Sequence, residues 1–301
     1  MKKEIFQDIC SQVFNVLESN EQLTIYLEGE NSQYFRFNDS KLRQSGIIED
    51  YAVTISLFSG KKSLQSATTV SSDIESSVNN LTNEINALRN PLSLIPDNEF
   101  TSFPDNFDSV EIIKSGQLPD RNEILDALMD IITKDYLTGV WTSGKIFRAC
   151  STSEGANHWF EKDSFIFDFS LIDKKENMVK VLFPGNCWDK SKFNAAFEEA
   201  SDKLKLMNKP KMELKPGKYR VWFEPHAVAD FVDMLNWNGV SESSLRNGSS
   251  SLLKMRKDDV KLSDKFSLDE SFDRKSTAPF NSRGEVSENV SIIKNGVLKN
   301  T

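Results

Sequence analysis

The sequence predicts an α+β fold in which antiparallel meander sheets pack against long amphipathic helices, followed by a mostly β C-terminal domain. Two patterns lead to this prediction. Short runs rich in β-branched and aromatic residues follow one another with turn residues between them, as expected for a meander. Each series then leads into a long stretch with apolar residues at helical spacing, and this order occurs twice. The two blocks lack close sequence identity, so the pattern indicates a shared architecture and not a demonstrated repeat.

The first block, residues 1–90, is predicted to be an N-terminal α+β domain. Amphipathic helices are expected over 4–18 and 72–88, and Pro91 ends the second because the residue before a proline is disfavoured in the helical region. The loop 59–62, SGKK, predicts a hairpin because its glycine accepts a positive φ. The strands expected between the helices cover 23–27, 34–37, 41–44, 51–58 and 63–69.

Residues 91–118 are predicted to form an ordered connector. They are rich in proline, aspartate, asparagine and serine. Phe100, Phe103 and Phe107 are spaced along them, and a disordered linker would leave these rings in water.

Residues 119–210 form the second predicted α+β region. Helices are expected over 119–133, with Asp120 as the N-cap, and over 191–207. Ser143-Gly144 predicts a turn between two strands. The expected strands are 137–142, 145–150, 164–172 and 178–183.

The stretch 217–235 is the main candidate for a functional site, because it reads as a strand over 219–223 that runs directly into a helix beginning at Pro225. His226 and Asp230 lie four residues apart, a spacing that lets two side chains converge on one metal ion or form hydrogen bonds in water. Two ligands alone do not make a site. The helix is expected to turn one apolar stripe inward, formed by Val228, Phe231, Val232 and Leu235.

The last part of the chain, residues 211–301, is predicted to be the start of a β-rich C-terminal domain that is incomplete at Thr301. Asn295-Gly296 is a strong hairpin signal near its end. The acidic residues within 263–273 have irregular spacing, which favours a solvated turn over a Ca²⁺ loop.

Charge and composition exclude several classes of function. The net charge is −8 and the pI is near 5.1, which argues against direct binding of DNA or RNA. Three cysteines, Cys10, Cys150 and Cys187, are widely spaced, so reduced thiols are expected. Neither a signal peptide nor a membrane span is predicted, and the expected location is the cytoplasm. The glycines form neither GxGxxG nor a P-loop, so nucleotide binding has no support.

His158 lies beside two aromatic residues in a predicted loop or strand edge. A structural role is favoured over a catalytic one because neither a nucleophile nor an acid stands near it in the sequence. A weaker alternative joins His226 and Asp230 to a distant residue such as His158 in a degenerate metal site.

Three regions in order resemble the TldD/PmbA family, known as modulators of DNA gyrase or TldD/TldE peptide-maturation proteases. The first is 34–69, with FRFNDSKLRQSGIIEDYAVTISLFSGKKSLQSATT, and the second is 119–207. The third opens with Pro216-Gly217-Lys218-Tyr219-Arg220-Val221 and continues through the serines of 249–251, the aspartates of 269–273 and IIKNGVL at 292–298. Each motif is short, and the order of several carries the resemblance.

The resemblance also implies a site. In the TldD branch the helix after the PG-Y-V strand carries HExxxH, whose histidines bind zinc while the glutamate activates water. Those three positions fall at Pro225, His226 and Asp230 of this sequence. Proline offers no ligand, and His226 replaces the base, so the departure is similar to the PmbA (TldE) branch, which lacks the zinc motif.

The resemblance implies a non-catalytic PmbA/TldE-like subunit of a TldD/TldE-type zinc metalloprotease that acts on unfolded peptides. Zinc is expected in a TldD-type partner and no cofactor in this chain, which would pair with that partner or with itself. The chain is expected to be either truncated or a naturally shortened relative. An independent peptide- or protein-binding module is the alternative.

Overall fold

A computed structural model describes residues 1–105, 108–132, 136–257 and 260–300. Its helices are α1 (Lys3–Phe14), α2 (Ile74–Leu94), α3 (Arg121–Ile132), α4 (Lys190–Met207), α5 (Pro225–Asn236), α6 (Glu242–Asn247) and α7 (Leu253–Lys257). Its strands are β1 (Glu21–Asn38), β2 (Lys41–Ser59), β3 (Lys62–Thr69), β4 (Glu111–Lys114), β5 (Tyr136–Thr152), β6 (Asn157–Ile172), β7 (Met178–Gly185), β8 (Leu268–Glu270), β9 (Val290–Lys294) and β10 (Val297–Leu298). The predicted α+β class is confirmed.

The chain divides into two compact units. The first unit comprises Met1–Pro210 together with Lys275–Ser287, and the second comprises Lys211–Arg274 together with Glu288–Thr301. The chain therefore enters the second unit, returns to the first and enters the second again. We call Lys275–Ser287 the return segment.

One seven-stranded sheet organises the first unit. Its order is β3-β2-β1-β5-β6-β4, and β7 also pairs with β6. All neighbours are antiparallel except β4, which runs parallel to β6. The predicted domains 1–90 and 119–210 both contribute to this sheet, because β1 pairs with β5 along fourteen residue pairs from Thr24↔Thr152 to Phe37↔Gly139.

The strands are longer than the sequence pattern predicts. The runs expected over 23–27 and 34–37 are one strand, β1, and those over 41–44 and 51–58 are one strand, β2. Asp39 and Ser40 have φ of 53° and 55°, so the hairpin between β1 and β2 has the positive φ values that a tight two-residue turn requires.

The predicted turn at Ser143-Gly144 is wrong, because both residues lie inside β5. Gly144 pairs with Ser32, and a Cβ placed on it would lie 2.3 Å from the carbonyl oxygen of Asn31. The glycine permits close approach of two backbones and does not mark a turn.

Two hydrophobic cores pack against this sheet. Apolar residues of α1 and α2 bury Leu23, Ile25 and Leu27 of β1. Apolar residues of α3 and α4 pack with an aromatic cluster that includes Trp141, Phe167 and Phe169. Asp120 accepts hydrogen bonds from the amides of Asn122 and Glu123, each 2.8 Å long, which confirms it as the N-cap of α3. Thr133, the predicted end of this helix, lies outside the described residues.

The prediction that Pro91 ends α2 is wrong. The helix continues to Leu94 with Pro91 inside it. Leu92 is 4% exposed and belongs to the first core, so the last turn of α2, which contains Leu92, packs against this core.

The connector 91–118 contains a strand that the sequence pattern missed, β4. Phe103 packs edge-on against Phe58 at 5.1 Å between ring centroids, whereas Phe100 is 92% exposed. Phe107 lies outside the described residues.

The second unit contains α5, α6 and α7 and a small antiparallel sheet in the order β10-β9-β8. In the described part of this unit, more residues lie in helices than in strands. The β-rich character predicted for 211–301 is therefore limited to this sheet. Its core contains Leu245, Leu252, Ile292 and Ile293. The hairpin at Asn295-Gly296 is confirmed, with both residues at positive φ. None of the described helices is long and apolar enough to cross a membrane.

Candidate functional site

The helix α5 begins where the sequence predicts. Pro225 is its first residue, a position where the missing amide hydrogen costs nothing. The amide of Val228 donates to the carbonyl oxygen of Glu224 at 3.0 Å and closes the first turn. His226 and Asp230 both lie on exposed positions of this helix, one turn apart. Neither side chain forms a hydrogen bond or ion pair with another described residue.

The strand predicted over 219–223 is wrong. These residues form neither helix nor strand, although their side chains suit a strand. Among the described residues, none pairs its backbone with 211–223, and a strand without a partner leaves its backbone groups to water.

A group of large apolar side chains around α5 is exposed. We define the α5 apolar surface as Tyr219, Val221, Trp222, Phe223, Val228, Phe231, Met234 and Trp237. Trp222 and Trp237 are 87% and 85% exposed. The prediction that the stripe faces inward holds for Leu235, which packs on the core of the second unit, and is wrong for Val228 and Phe231.

His158 is the second residue of β6 in the first unit, so the predicted loop is wrong and the residue lies at the end of a strand. Its side chain is buried, at 2% exposure. The amide of Val110 donates to Nδ1 at 3.2 Å, and Nε2 donates to the carbonyl oxygen of Gly284 at 2.9 Å. Both ring nitrogens are therefore engaged, so His158 offers no lone pair to a metal, and it belongs to a different unit from His226 and Asp230.

Burial lowers the pKa of His158 below its ordinary value near 6.5, and the hydrogen bond to Gly284 opposes this to a smaller extent. The ring stacks on Phe280 at 4.9 Å between centroids. The structure thus holds a neutral imidazole between three parts of the chain: β6, the residues before β4, and the return segment.

The contribution of the return segment was not predicted. The sequence around Phe280 and Gly284 lacks hydrophobic periodicity, and the contacts of these residues lie more than one hundred residues away along the chain. Gly284 has a φ of +81°, which favours glycine, but that conformation is not readable from the sequence.

The three cysteines are free. Cys10 and Cys150 are buried, and Cys187 is exposed. Burial raises the pKa of Cys150 to about 12 and raises that of Cys10 further, so neither thiol ionises at neutral pH. Among the described residues, no group of three or more histidine, cysteine, aspartate or glutamate side chains is arranged to hold a metal ion.

Residues 216–301 match the family model of the PmbA/TldA metallopeptidase C-terminal domain. A protein described as a modulator of DNA gyrase from Thermotoga maritima has a TM-score of 0.74 at 15% identity, over 98% of this chain and 70% of that chain. TldE from Thermococcus kodakarensis has a TM-score of 0.68 at 12% identity, over 98% and 69%. The family match is to the C-terminal part of the chain, and the whole chain shares the fold of these solved structures.

A second described modulator of DNA gyrase, from Bacteroides thetaiotaomicron, has a TM-score of 0.72 at 14% identity, over 99% of this chain and 71% of that chain. At these identities the solved structures show a shared fold. A search of curated protein sequences gives no match. The match to the TldD/PmbA domain begins at Pro216, where the third region of the sequence resemblance also opens.

The residues that the sequence resemblance places at the three positions of the TldD zinc motif do not fit a zinc site. Pro225 has no side-chain donor atom, and the remaining pair, His226 and Asp230, would supply at most two ligands. Catalytic zinc sites in proteins use three protein ligands and a water molecule.

Proposed function

We propose that the chain is a PmbA/TldE-like subunit of a TldD/TldE-type zinc metallopeptidase and that it is not itself catalytic. The observation that carries this proposal is Pro225, which stands where the TldD branch places its first zinc ligand. A proline at the first turn stabilises the helix and removes the ligand at once. The chain contains the helix and matches the family domain, but it lacks the side chain that would be the first zinc ligand.

The zinc and the general base belong, in this proposal, to a TldD-type partner. The chain would shape the cleft in which an unfolded peptide is held. The mode we expect is β-strand addition, which needs an exposed sheet edge and not a particular side chain. In the first unit, β3 lies at one edge of the seven-stranded sheet.

The α5 apolar surface supports a protein partner. Its eight side chains are each at least 43% exposed, and groups of exposed large apolar side chains mark sites of protein interaction. Two tryptophans more than four-fifths exposed match the side chains that dominate binding energy in interfaces.

The partner is tested by mixing the purified chain with the TldD-type protein of the same genome and measuring mass by size exclusion with light scattering. We expect a complex of the two chains. Phe231→Glu and Trp222→Glu should abolish it, because a carboxylate would be buried in the apolar contact. Ile47→Glu is the matched control, since Ile47 is 75% exposed but lies in the first unit, and its substitution should leave the complex intact.

Three results would contradict the proposal. If the wild-type chain elutes alone, an independent binding module is favoured. Self-association without the partner would favour a homo-oligomer. If the purified chain alone hydrolyses a peptide faster than buffer without protein does, the chain is itself catalytic.

A further inference from the structure

One edge of the seven-stranded sheet is only partly covered. The strand β2 spans Lys41–Ser59, but β3 pairs with it only from Ala52 to Ser59. The last hydrogen bond across this edge runs from the amide of Val70 to the carbonyl oxygen of Tyr51, at 3.0 Å. The chain then leaves the sheet and enters α2. Among the described residues, 41–50 of β2 therefore pair with β1 on one side and with no strand on the other.

The free backbone groups of β2 occur at every second residue. In a strand, the amide and carbonyl groups of successive residues point to alternate neighbours. The carbonyl oxygen of Tyr51 points to the β3 side, and the register of β2 against β1 is regular over residues 44–59. Ser45, Ile47 and Glu49 therefore point both backbone groups to the same side. All three are exposed, and no described residue hydrogen-bonds to these outward groups.

This part of the edge lacks the features that block the edges of most sheets. Native edges are blocked by short strands, prolines, bulges or charged side chains. The strand β3 is short, and the carbonyl oxygen of its Thr69 accepts a hydrogen bond from Asn80 of α2 at 2.9 Å. By contrast, residues 44–48 of β2 include neither a proline nor a charged side chain, and Ile47 is 75% exposed. The open part of the edge is therefore on β2 and not on β3.

Charged side chains lie at the two ends of the open edge. Arg43, the extra residue of a bulge, lies at one end and Glu49 at the other, and both are exposed. An added strand that runs antiparallel to β2 meets Glu49 first and Arg43 six residues later. Opposite charges across an antiparallel pair attract, and like charges repel. The edge therefore favours a strand with a basic residue at its start and an acidic residue at its end.

We propose that residues 43–49 of β2 bind one extended peptide strand, which runs antiparallel to β2 and carries a basic residue six positions before an acidic one. For the role of that peptide as an unfolded substrate, this inference rests on the proposed function. Each outward residue of β2 supplies one donor and one acceptor, and these bonds do not depend on the peptide side chains. The charges at the two ends then select among peptides.

The probe is the acetylated peptide Lys-Thr-Val-Val-Thr-Thr-Glu with a neutral fluorophore at its C-terminal end. Its binding to the full chain, without any partner protein, is measured by fluorescence anisotropy. The matched control, Glu-Thr-Val-Val-Thr-Thr-Lys, has the same composition with the two charges exchanged. We expect the first peptide to bind about fivefold more tightly at low salt. The ratio should fall towards one at about 0.5 M salt, because exposed charge pairs are screened.

Backbone pairing is tested separately by N-methylation of the peptide. In the proposed register the third residue lies opposite Ile47 and the fourth opposite Gly46, so the amide of the third points to β2 and that of the fourth points to water. A methyl group on the third nitrogen should weaken binding about tenfold, since it removes a hydrogen bond and separates the strands. A methyl group on the fourth nitrogen should change binding by less than about twofold, because that amide makes no bond to β2.

The site is located by NMR hydrogen exchange in the unsubstituted chain, so no variant has to fold. Without peptide, the amides of Ser45, Ile47 and Glu49 should exchange rapidly, whereas Gly46 and Ile48 direct theirs to β1. With the peptide at about ten times its dissociation constant, exchange of the first three amides should slow by about tenfold. Exchange of the other two should change much less.

A double substitution reverses the charges of the edge. Arg43→Glu combined with Glu49→Arg should make the chain prefer the control peptide, a gain of binding that a misfolded chain does not produce. Asp168→Lys combined with Lys180→Asp is the matched control, since these residues form an exposed ion pair between β6 and β7. This second variant should keep the preference of the parent chain.

Several outcomes would overturn the inference. They are the absence of saturable binding, equal binding of the two peptides or preference for the second, equal effects of the two methyl groups, and protection of amides outside residues 43–49. Slow exchange of Ser45, Ile47 and Glu49 without peptide would overturn it as well, because a second copy of the chain would then cover the edge.

The inference and the proposed function fail in different experiments. A complex with the TldD-type protein, together with no peptide at this edge, would overturn the inference alone. Peptide binding at this edge by a chain that forms no such complex would overturn the proposed function alone.

Discussion

Arg89 shows how one side chain can join separate elements. From α2 it donates to both carboxylate oxygens of Glu21, through Nε at 2.9 Å and Nη2 at 2.8 Å, and to the carbonyl oxygen of Val16. The Glu21 side chain is 5% exposed, so removal of the guanidinium would leave a buried carboxylate without its partner.

We expect Arg89→Ala to lower the free energy of unfolding by about 2–3 kcal/mol at pH 7, measured by urea unfolding with tryptophan fluorescence. The hydrogen bond from Arg89 is the main cause that lowers the pKa of Glu21 below its ordinary value of 4.5. The pair therefore stabilises the fold above that pH and loses this contribution as the carboxylate is protonated, so the difference from wild type should narrow below pH 4.5.

Lys205→Ala is the control for this measurement. Lys205 and Asp202 form an exposed pair on α4, with both side chains about three-quarters exposed. Its loss should change the free energy of unfolding by less than about 0.5 kcal/mol. Equal effects of the two substitutions would show that burial of Glu21 does not matter.

Single residues were predictable from the sequence where the cause is local. Asp120 caps the helix that follows it within three residues, and Gly60 adopts the positive φ of its hairpin. The role of His158 was not predictable beyond a structural one, since Val110 and Gly284 are its partners through the tertiary fold.

Among the elements, the last turn of α2 is a place where local preference and tertiary packing disagree. Pro91 disfavours a helix locally, yet the helix continues to Leu94. Leu92 and Leu94 both follow Pro91 in this turn, yet Leu92 is 4% exposed and Leu94 is 78% exposed. We expect Leu92→Ala to lower the free energy of unfolding by about 2–4 kcal/mol because it opens a cavity in the first core.

Leu94→Ala is the matched substitution and should cost less than about 0.5 kcal/mol. Both are measured by urea unfolding of the full chain. If the helix ended before Pro91, as the sequence pattern predicts, the two substitutions would be expected to lower the free energy of unfolding by similar amounts.

The errors in element prediction share a cause. Propensity located the apolar parts of β1, β2 and β5 but missed the polar residues between them, which are in strands because the neighbouring strand pairs with them. The converse holds at 219–223, where strand-forming residues lack a pairing strand among the described residues. Pairing is a property of the whole sheet and is not contained in a short window.

At the scale of the molecule, the sequence predicted the α+β class and the two series of strands that each lead into a long helix, but not the single sheet that joins the two blocks. It also missed the return of the chain to the first unit at Lys275–Ser287. For the candidate site it predicted the helix that begins at Pro225, because proline favours the first helical position. The departure from the zinc motif at Pro225 stays a prediction. The exposure of Phe231 and Trp237 depends on what else packs nearby, which the pattern of one helix does not specify.

The net charge leads to a last prediction, about nucleic acid. Two structural relatives are described as modulators of DNA gyrase, and this chain carries 45 acidic against 37 basic residues. Binding to the phosphate backbone depends on clustered lysine and arginine that displace counterions, so a net charge of −8 opposes it. We expect no saturable retention of duplex DNA in a filter-binding assay at protein concentrations up to about 100 µM in 150 mM salt, where non-specific DNA-binding proteins have dissociation constants of about 1–100 µM. A basic DNA-binding protein on the same filters is the control for retention, and tight binding that weakens steeply with added salt would contradict the prediction.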